Sequence, residues 1–296
     1  MEFSNVEFGI CANNNRESIV CRIPIDNSVK IVLKEMYTSF YESYQAIDGE
    51  VRNFEPSEKY GQLEKLTISI ADEHLKNFQQ LFNDNSIPVS SESLQSLSSG
   101  IRYYFAIFYA DGNKHIGVKR PSQFKSLLKK RNFLMRLCDD TLESISDDVF
   151  KLDTDFDFII NANQIDILHP ISFALLADID DQILSAAEES TIKLKERISF
   201  IKFDEVIVEY VGKSKNAAKL IASIRIRDDL EKTSKEKLIS KCKSLSVELT
   251  MHGDQVQPGE KHVMDFLQIL DRREYDVDLT EDNPEIYIAA SRRKVN

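Results

Sequence analysis

The sequence predicts an α+β fold: an antiparallel, strand-rich half over residues 1–169, packed with a mainly helical half over 170–296 that ends in short strands. Three observations carry this. Apolar residues alternate with period two through much of the first half. The period lengthens to three or four after Pro170, and strands followed by helices is the α+β pattern. The composition, 42% hydrophobic with 17 Phe and 10 Tyr but only nine Gly and seven Pro in 296 residues, supplies a real core and excludes collagen-like, linker-like and disordered chains.

The elements follow in order. Residues 3–11 and 18–25 are short apolar stretches joined through Ala12-Asn13-Asn14-Asn15, a turn composition. After Asp26 the residues Val29, Leu33, Met36, Phe40 and Tyr44 share one helical face, and Asp26 or Asn27 can cap the first turn. Tyr37, Tyr41 and Tyr44 widen that face into an aromatic stripe suited to core or interface. Residues 48–65 read as a loop. Asp72 is expected to cap a short helix with Leu75, Phe78, Leu81 and Phe82 on its apolar side. Six serines among residues 90–99 make a flexible connection.

The clearest hairpin is next. Ile101, Tyr103, Phe105, Ile107 and Tyr109 alternate, Asp111-Gly112 suits a tight turn, and Ile116 to Val118 run back. Pro121 leads into a cationic segment expected to form a short helix. In 133–169, Phe156, Phe158 and Ile160 alternate with Asp155, Asp157 and Asn161, then turn into Ile165 to Leu168, predicting an antiparallel pair with its acids outward. Helices are expected over 178–197, 203–211, 215–227, 234–244 (capped by Ser234) and 261–271, with strands at 247–250 and 286–290.

No stretch approaches 18 uncharged apolar residues, so none is expected to span a membrane. Met1 to Asn5 lack the basic and apolar regions of a secretory leader, and the expected location is cytoplasmic. Cys11, Cys21, Cys138 and Cys242 show no C-x-x-C spacing and read as reduced thiols, although Cys11 and Cys21 could face each other across a hairpin. The five histidines give no zinc pattern. Gly212-Lys213-Ser214 lacks the earlier glycine of a phosphate loop, and no Gly-x-Ser-x-Gly elbow occurs. No cofactor and no metal are expected.

The net charge is −11, but it is segregated. Lys119, Arg120, Lys125, Lys129, Lys130, Arg131 and Arg136 are seven cations without an intervening acid. Eight acids then fall between Asp139 and Asp157, against the single cation Lys151. A second basic region, Lys193 to Lys243, has 14 cations against 8 acids, and Arg292-Arg293-Lys294 lie near the end. Clustered Lys and Arg neutralise phosphates without reading bases, so Lys119, Arg120, Lys125, Lys129, Lys130, Arg131, Arg292, Arg293 and Lys294 are the candidate DNA contacts. Asp155, Asp157 and Asp166, on facing strands near a lysine, are the runner-up: carboxylates that would hold Mg²⁺ in a nuclease.

The run Phe156-Asp157-Phe158-Ile159-Ile160, then Ile165-Asp166-Ile167-Leu168 and Phe173, a helical region, and a close through Leu270-Asp271, Leu279-Thr280, Tyr287 and Ser291 to Val295 resembles the KwaB family of the Kiwa anti-phage defence system. The resemblance spans roughly residues 100–296 and, more weakly, the rest. It implies a cytosolic effector that binds double-stranded DNA with little sequence preference and works with a membrane-embedded partner, KwaA, at the inner membrane face. It brings no catalytic motif that transfers residue by residue.

The function expected is therefore a non-catalytic, sequence-nonspecific DNA-binding protein of anti-phage defence, with a metal-dependent nuclease as the alternative. A homodimer or higher homo-oligomer is expected through the helix after Asp26, because a chain with 17 Phe and 10 Tyr carries more apolar side chain than its irregular first half can bury, and Tyr37, Tyr41 and Tyr44 widen that helix's apolar face.

Overall fold

A computed structural model describes residues 2–14, 17–60, 64–90, 97, 100–121, 135–138, 141–144, 150–277 and 285–289. The chain divides into two compact units. The first comprises residues 1–54 and 60–177, the second residues 55–59 and 178–296.

The first unit is built on one eight-stranded sheet. Its strands are β1 (Asn5–Asn14), β2 (Glu17–Ile23), β3 (Arg52–Asn53), β4 (Leu66–Ser69), β5 (Ile101–Ala110), β6 (Asn113–Lys119), β9 (Phe158–Ile160) and β10 (Gln164–Ile167). A separate hairpin pairs β7 (Met135–Cys138) with β8 (Thr141–Ser144). The sheet order is β2-β1-β5-β6-β9-β10-β4-β3, antiparallel except for the short β3–β4 pair. As expected, Asp111 and Gly112 both take positive φ at the β5–β6 turn (51° and 77°).

Register explains the core. One row across the sheet runs Gly9, Phe105, Val118, Phe158, Ile167, Leu66. It faces α2 (Lys76–Asn83) and α3 (Pro170–Leu176), where Phe78 and Phe173 meet Phe158 edge-on with ring centroids 5.0 and 5.1 Å away. The adjacent row, Phe8, Ala106, Gly117, Ile159, Asp166, faces α1 (Asn27–Ala46). Helix α1 starts where expected, with the Asp26 carboxylate accepting from the Val29 amide at 2.9 Å. It buries Leu33, Met36, Tyr37, Phe40 and Tyr44, each contributing on the order of 1.5–3 kcal/mol.

Glycine is required at two crossings. A Cβ on Gly9 would sit 2.3 Å from the Phe105 ring, and one on Gly117 would sit 2.7 Å from Phe156. The two aromatics fill the space that side chains at those positions would take.

Several expectations need correction. Alternation predicted acids outward, but Asp157 and Asp166 are buried at 3% and 6% exposure, Asp166 beneath α1 and Asp157 against Lys119 and the Arg120 amide. The tyrosines offered as an oligomer contact belong to the core side of α1. Tyr37 and Tyr44 are buried, and the Tyr41 hydroxyl donates to Asp166 at 3.1 Å. Cys21 lies opposite Ile10, and Cys11 opposite Val20, so the two thiols point to opposite faces. Asp72 does not cap α2. It accepts from the His74 amide in a turn before the helix, which begins at Lys76.

The second unit is mainly helical. It contains α4 (Ile179–Ser185), α5 (Ala187–Arg197), α6 (Val206–Lys213), α7 (Lys215–Arg225), α8 (Lys235–Ser244) and α9 (Val263–Leu270). Two hairpins accompany them, β11 (Leu249–His252) with β12 (Gln255–Pro258) and β13 (Glu274–Val277) with β14 (Glu285–Ile288). The single helix expected over 178–197 is broken at Ala186. Its buried stripe, Ile179, Ile183, Ala187, Ser190 and Leu194, stays in phase across the break, which is why periodicity alone reads through it. Ser234 caps α8 as expected, accepting from the Lys237 amide.

Candidate functional site

The end of the sheet from which the cationic segment departs carries a compact charged cluster. Strand β6 finishes at Lys119, and the Asp157 amide donates to the Val118 carbonyl at 2.9 Å. The Asp157 carbonyl in turn accepts from the Leu168 and His169 amides, both at 3.0 Å. The backbone therefore gathers Lys119, Asp157 and His169, and Asp155 follows from its position two residues upstream.

Every carboxylate oxygen of the pair is used. The Lys119 ammonium lies 2.8 Å from Asp155 Oδ1 and 3.1 Å from Asp157 Oδ1. The second Asp155 oxygen faces His169 Nε2 at 3.5 Å. The second Asp157 oxygen accepts from the Arg120 amide at 2.7 Å. Next to the cluster, the Tyr104 hydroxyl donates to Asp153 at 3.2 Å and accepts from its amide at 3.0 Å.

These contacts set the protonation states. Burial pushes the Asp157 carboxyl above its ordinary value even against the pull of Lys119. Burial works the same way on Asp155, but His169 and Lys119 outweigh it and bring that carboxyl down to about 2. The hydrogen bond to Asp155 raises the His169 imidazole above its usual range. Burial opposes the charge on Lys119, yet the two carboxylates together hold its pKa above that of an ordinary lysine. The cluster is a charge-neutralised knot that fixes where the chain leaves β6.

The predicted phosphate contacts divide accordingly. Lys119, with its side chain 12% exposed, is committed to the two aspartates. Arg120 is exposed directly beyond them. Lys125, Lys129, Lys130, Arg131, Arg292, Arg293 and Lys294 lie outside the described residues, as does the short helix expected after Pro121. The second basic region is largely paired with acids of its own unit: Lys193 with Glu189, Lys195 with Asp204, Arg197 with Glu231, Lys213 with Glu209 and Lys215 with Asp181. Part of the surplus is paired with acids outside that stretch, Glu189, Asp181, Asp180 and Asp254.

The three strand carboxylates of the nuclease alternative are not one constellation. Asp155 and Asp157 come together with the Lys119 ammonium between them, where a cation would bridge. Asp166 instead accepts from Tyr41, Asn161 (2.8 Å) and Gln164 (2.7 Å) on the α1 side. Among the described residues, no group of three His, Cys, Asp or Glu side chains is placed to hold a metal ion.

The sequence offered Lys119 as a phosphate contact and gave His169 no role beyond that of one histidine among five without a zinc pattern. The signal that would have joined them is the Asp-x-Asp at 155–157 entering a strand whose neighbour ends in a lysine.

Comparison with known proteins now bears on this geometry. The model of the family described as Kiwa protein KwaB-like matches residues 99–280, more than half of the chain. The chain belongs to that family. Membership points to a component of Kiwa anti-phage defence, a system with further components such as KwaA. The KwaB-like match takes in β5, β6, the whole cationic run and the Lys119 cluster, and it stops before Arg292. No curated protein and no solved structure matches the chain. No helix among the described residues is long and apolar enough to cross a membrane.

Proposed function

We propose that this protein is the DNA-binding component of a Kiwa system, holding double-stranded DNA through phosphate contacts and acting with the membrane-embedded partner KwaA at the inner membrane face. The observation that carries the reading is the coincidence of the family match with the cationic run 119–136, which starts from an anchored point in the fold. Asp155 and Asp157 neutralise Lys119 and fix Arg120 by its amide, so the segment begins from a defined position with Arg120 exposed. Phosphate contacts of this kind carry no base information, so binding is indifferent to sequence. Binding as a homodimer or higher oligomer belongs to the same reading, with no role for the α1 tyrosines.

The test is a gel-shift with plasmid and unrelated duplexes at rising salt. With about four phosphates neutralised, raising salt from roughly 50 to 200 mM costs on the order of a hundredfold in affinity. Lys129→Glu, Lys130→Glu and Arg131→Glu together weaken every sequence alike. Affinity that ignores salt, or loss for one sequence only, refutes the reading. The nuclease alternative is tested in the same tubes: nicking of supercoiled plasmid with Mg²⁺ that EDTA stops and Asp157→Ala abolishes would replace this proposal.

A further inference from the structure

The second unit contains a cavity that neither the DNA reading nor the family match accounts for. It measures about 400 Å³, inside the range of roughly 300–1,000 Å³ usual for small-molecule sites. Helix α7 brings Asn216 and Lys219 from one face, one turn apart, and α9 brings Gln268. The chain segment 55–59 adds Ser57 and Lys59, and Arg273 completes the polar wall. Leu220 and Met264 line it with apolar side chains, and the exposed Ile288 lies at its edge.

Three cations against one acid, Glu58, line this cavity on a chain whose net charge is −11. They are not equivalent. Arg273 is buried, and its guanidinium is held three ways: Nε donates to Asp271 at 2.7 Å, Nη1 to the Ser57 carbonyl at 2.9 Å and Nη2 to Ser57 Oγ at 2.8 Å. Asp271 is fully buried and also accepts from Ser223. Arg273 therefore acts as a fixed support. Because Ser57 Oγ accepts from Arg273, its own proton is left for another acceptor. Lys219 is paired with Asp180 at 2.7 Å. Lys59 is exposed, with no carboxylate partner among the described residues. At the wall, the side-chain oxygen of Gln268 is buried without a hydrogen-bond partner. An amide turned end for end would present its N–H groups there instead.

The exposed Lys59 ammonium, the Ser57 hydroxyl and the side-chain amides of Asn216 and Gln268 beside apolar side chains suit an anion attached to an apolar body. Several donors converging on one small site match the many acceptor oxygens of a phosphate. We propose that this cavity binds a phosphate monoester on a nucleoside-sized body, through Lys59 and the Ser57 hydroxyl that Arg273 holds. Two sources share that chemistry, a free mononucleotide and the 5′-phosphate at a DNA strand end. The inference does not rest on the cationic run at 119–136.

The experiment is calorimetric titration of the full chain with deoxythymidine monophosphate, thymidine and inorganic phosphate, repeated on Lys59→Glu. The nucleotide is expected to bind at least tenfold tighter than thymidine, and Lys59→Glu to weaken it about tenfold, the effect of losing one charge-assisted hydrogen bond. A parallel arm compares a short duplex with and without 5′-phosphates. A Lys59→Glu loss for the free nucleotide assigns that source, and a loss confined to the phosphorylated duplex assigns the strand end. Either supports the site. Phosphorylated ligands that bind no better than unphosphorylated ones overturn it. So does a Lys59→Glu protein that is folded by circular dichroism and binds both as the wild type does. Inorganic phosphate binding as tightly as the nucleotide overturns the nucleoside body. Binding of the unphosphorylated duplex reports on the DNA reading separately.

Discussion

Replacing Lys119 with Met is the sharpest probe of the cluster. The ammonium serves two carboxylates at 2.8 and 3.1 Å, and Asp157 has only 4% of its side chain exposed. Methionine keeps the apolar stem of the lysine and removes the charge. Asp157 is then a buried anion with the Arg120 amide as its remaining close donor. Breaking a buried pair by removing one partner costs about 3–5 kcal/mol, because the other charge stays desolvated. For a unit of this size that lowers Tm by roughly 6–20 °C. The pH dependence identifies the cause. Asp157 already titrates above its ordinary value in the wild type, from burial, and loses its counter-charge in the variant. A carboxyl whose folded pKa is raised weakens the fold above that pKa. The penalty fades as pH falls through it toward the ordinary aspartate value. Urea unfolding of Lys119→Met against wild type is compared at pH 6 and 4.5, where His169 is already protonated in the folded protein. The deficit is expected to be large at pH 6 and to shrink by pH 4.5. Adding Asp157→Asn restores part of the loss, since the amide oxygen still accepts from Arg120. A deficit under about 1 kcal/mol, or one that is flat between the two pH values, refutes the buried-pair argument.

Gly117→Ala places a methyl group 2.7 Å from the buried Phe156 ring. It is expected to cost about 1–3 kcal/mol by overpacking, with partial recovery on adding Phe156→Leu, both read by thermal unfolding. His169→Gln removes a group whose folded pKa is raised by Asp155. The stability it contributes is fully present below the ordinary histidine pKa and is lost as pH rises through the raised value. The variant is therefore less stable than wild type at pH 6, and the difference closes toward pH 9; a constant difference sinks the assignment. Cys11 and Cys21 are buried on opposite faces of the β1–β2 hairpin. Mild oxidation of the folded protein should leave both as free thiols by mass spectrometry, and a bridge between them would contradict the register.

Much of the first unit was legible in the sequence because its cues are local. Asp26 caps α1 and Asp111-Gly112 turns β5 into β6 through short-range backbone chemistry that a few residues determine. The period-two runs named β5 and β10 for the same reason. Segregation of the basic run from the acids after it was equally plain, as was the family order of motifs. What the tertiary structure decided was partnership. Alternation shows that Asp166 and Ile167 point to opposite faces, but not that α1 covers the Asp166 face, nor that Lys119 and the Arg120 amide close over Asp157 and make it a buried anion. Counting charges along Lys193 to Lys243 gives a surplus, and only packing spends part of it on acids outside that stretch, Asp181 through Lys215, Asp180 through Lys219 and Asp254 through Lys235. Lys119 reads as one more cation in a row of seven, yet β6 and β9 register it between Asp155 and Asp157. Likewise Ser57 and Arg273 lie 216 positions apart and share two hydrogen bonds. A linear sequence lists charges and periods; which charge faces which depends on contacts closed over long loops, and no local rule encodes those.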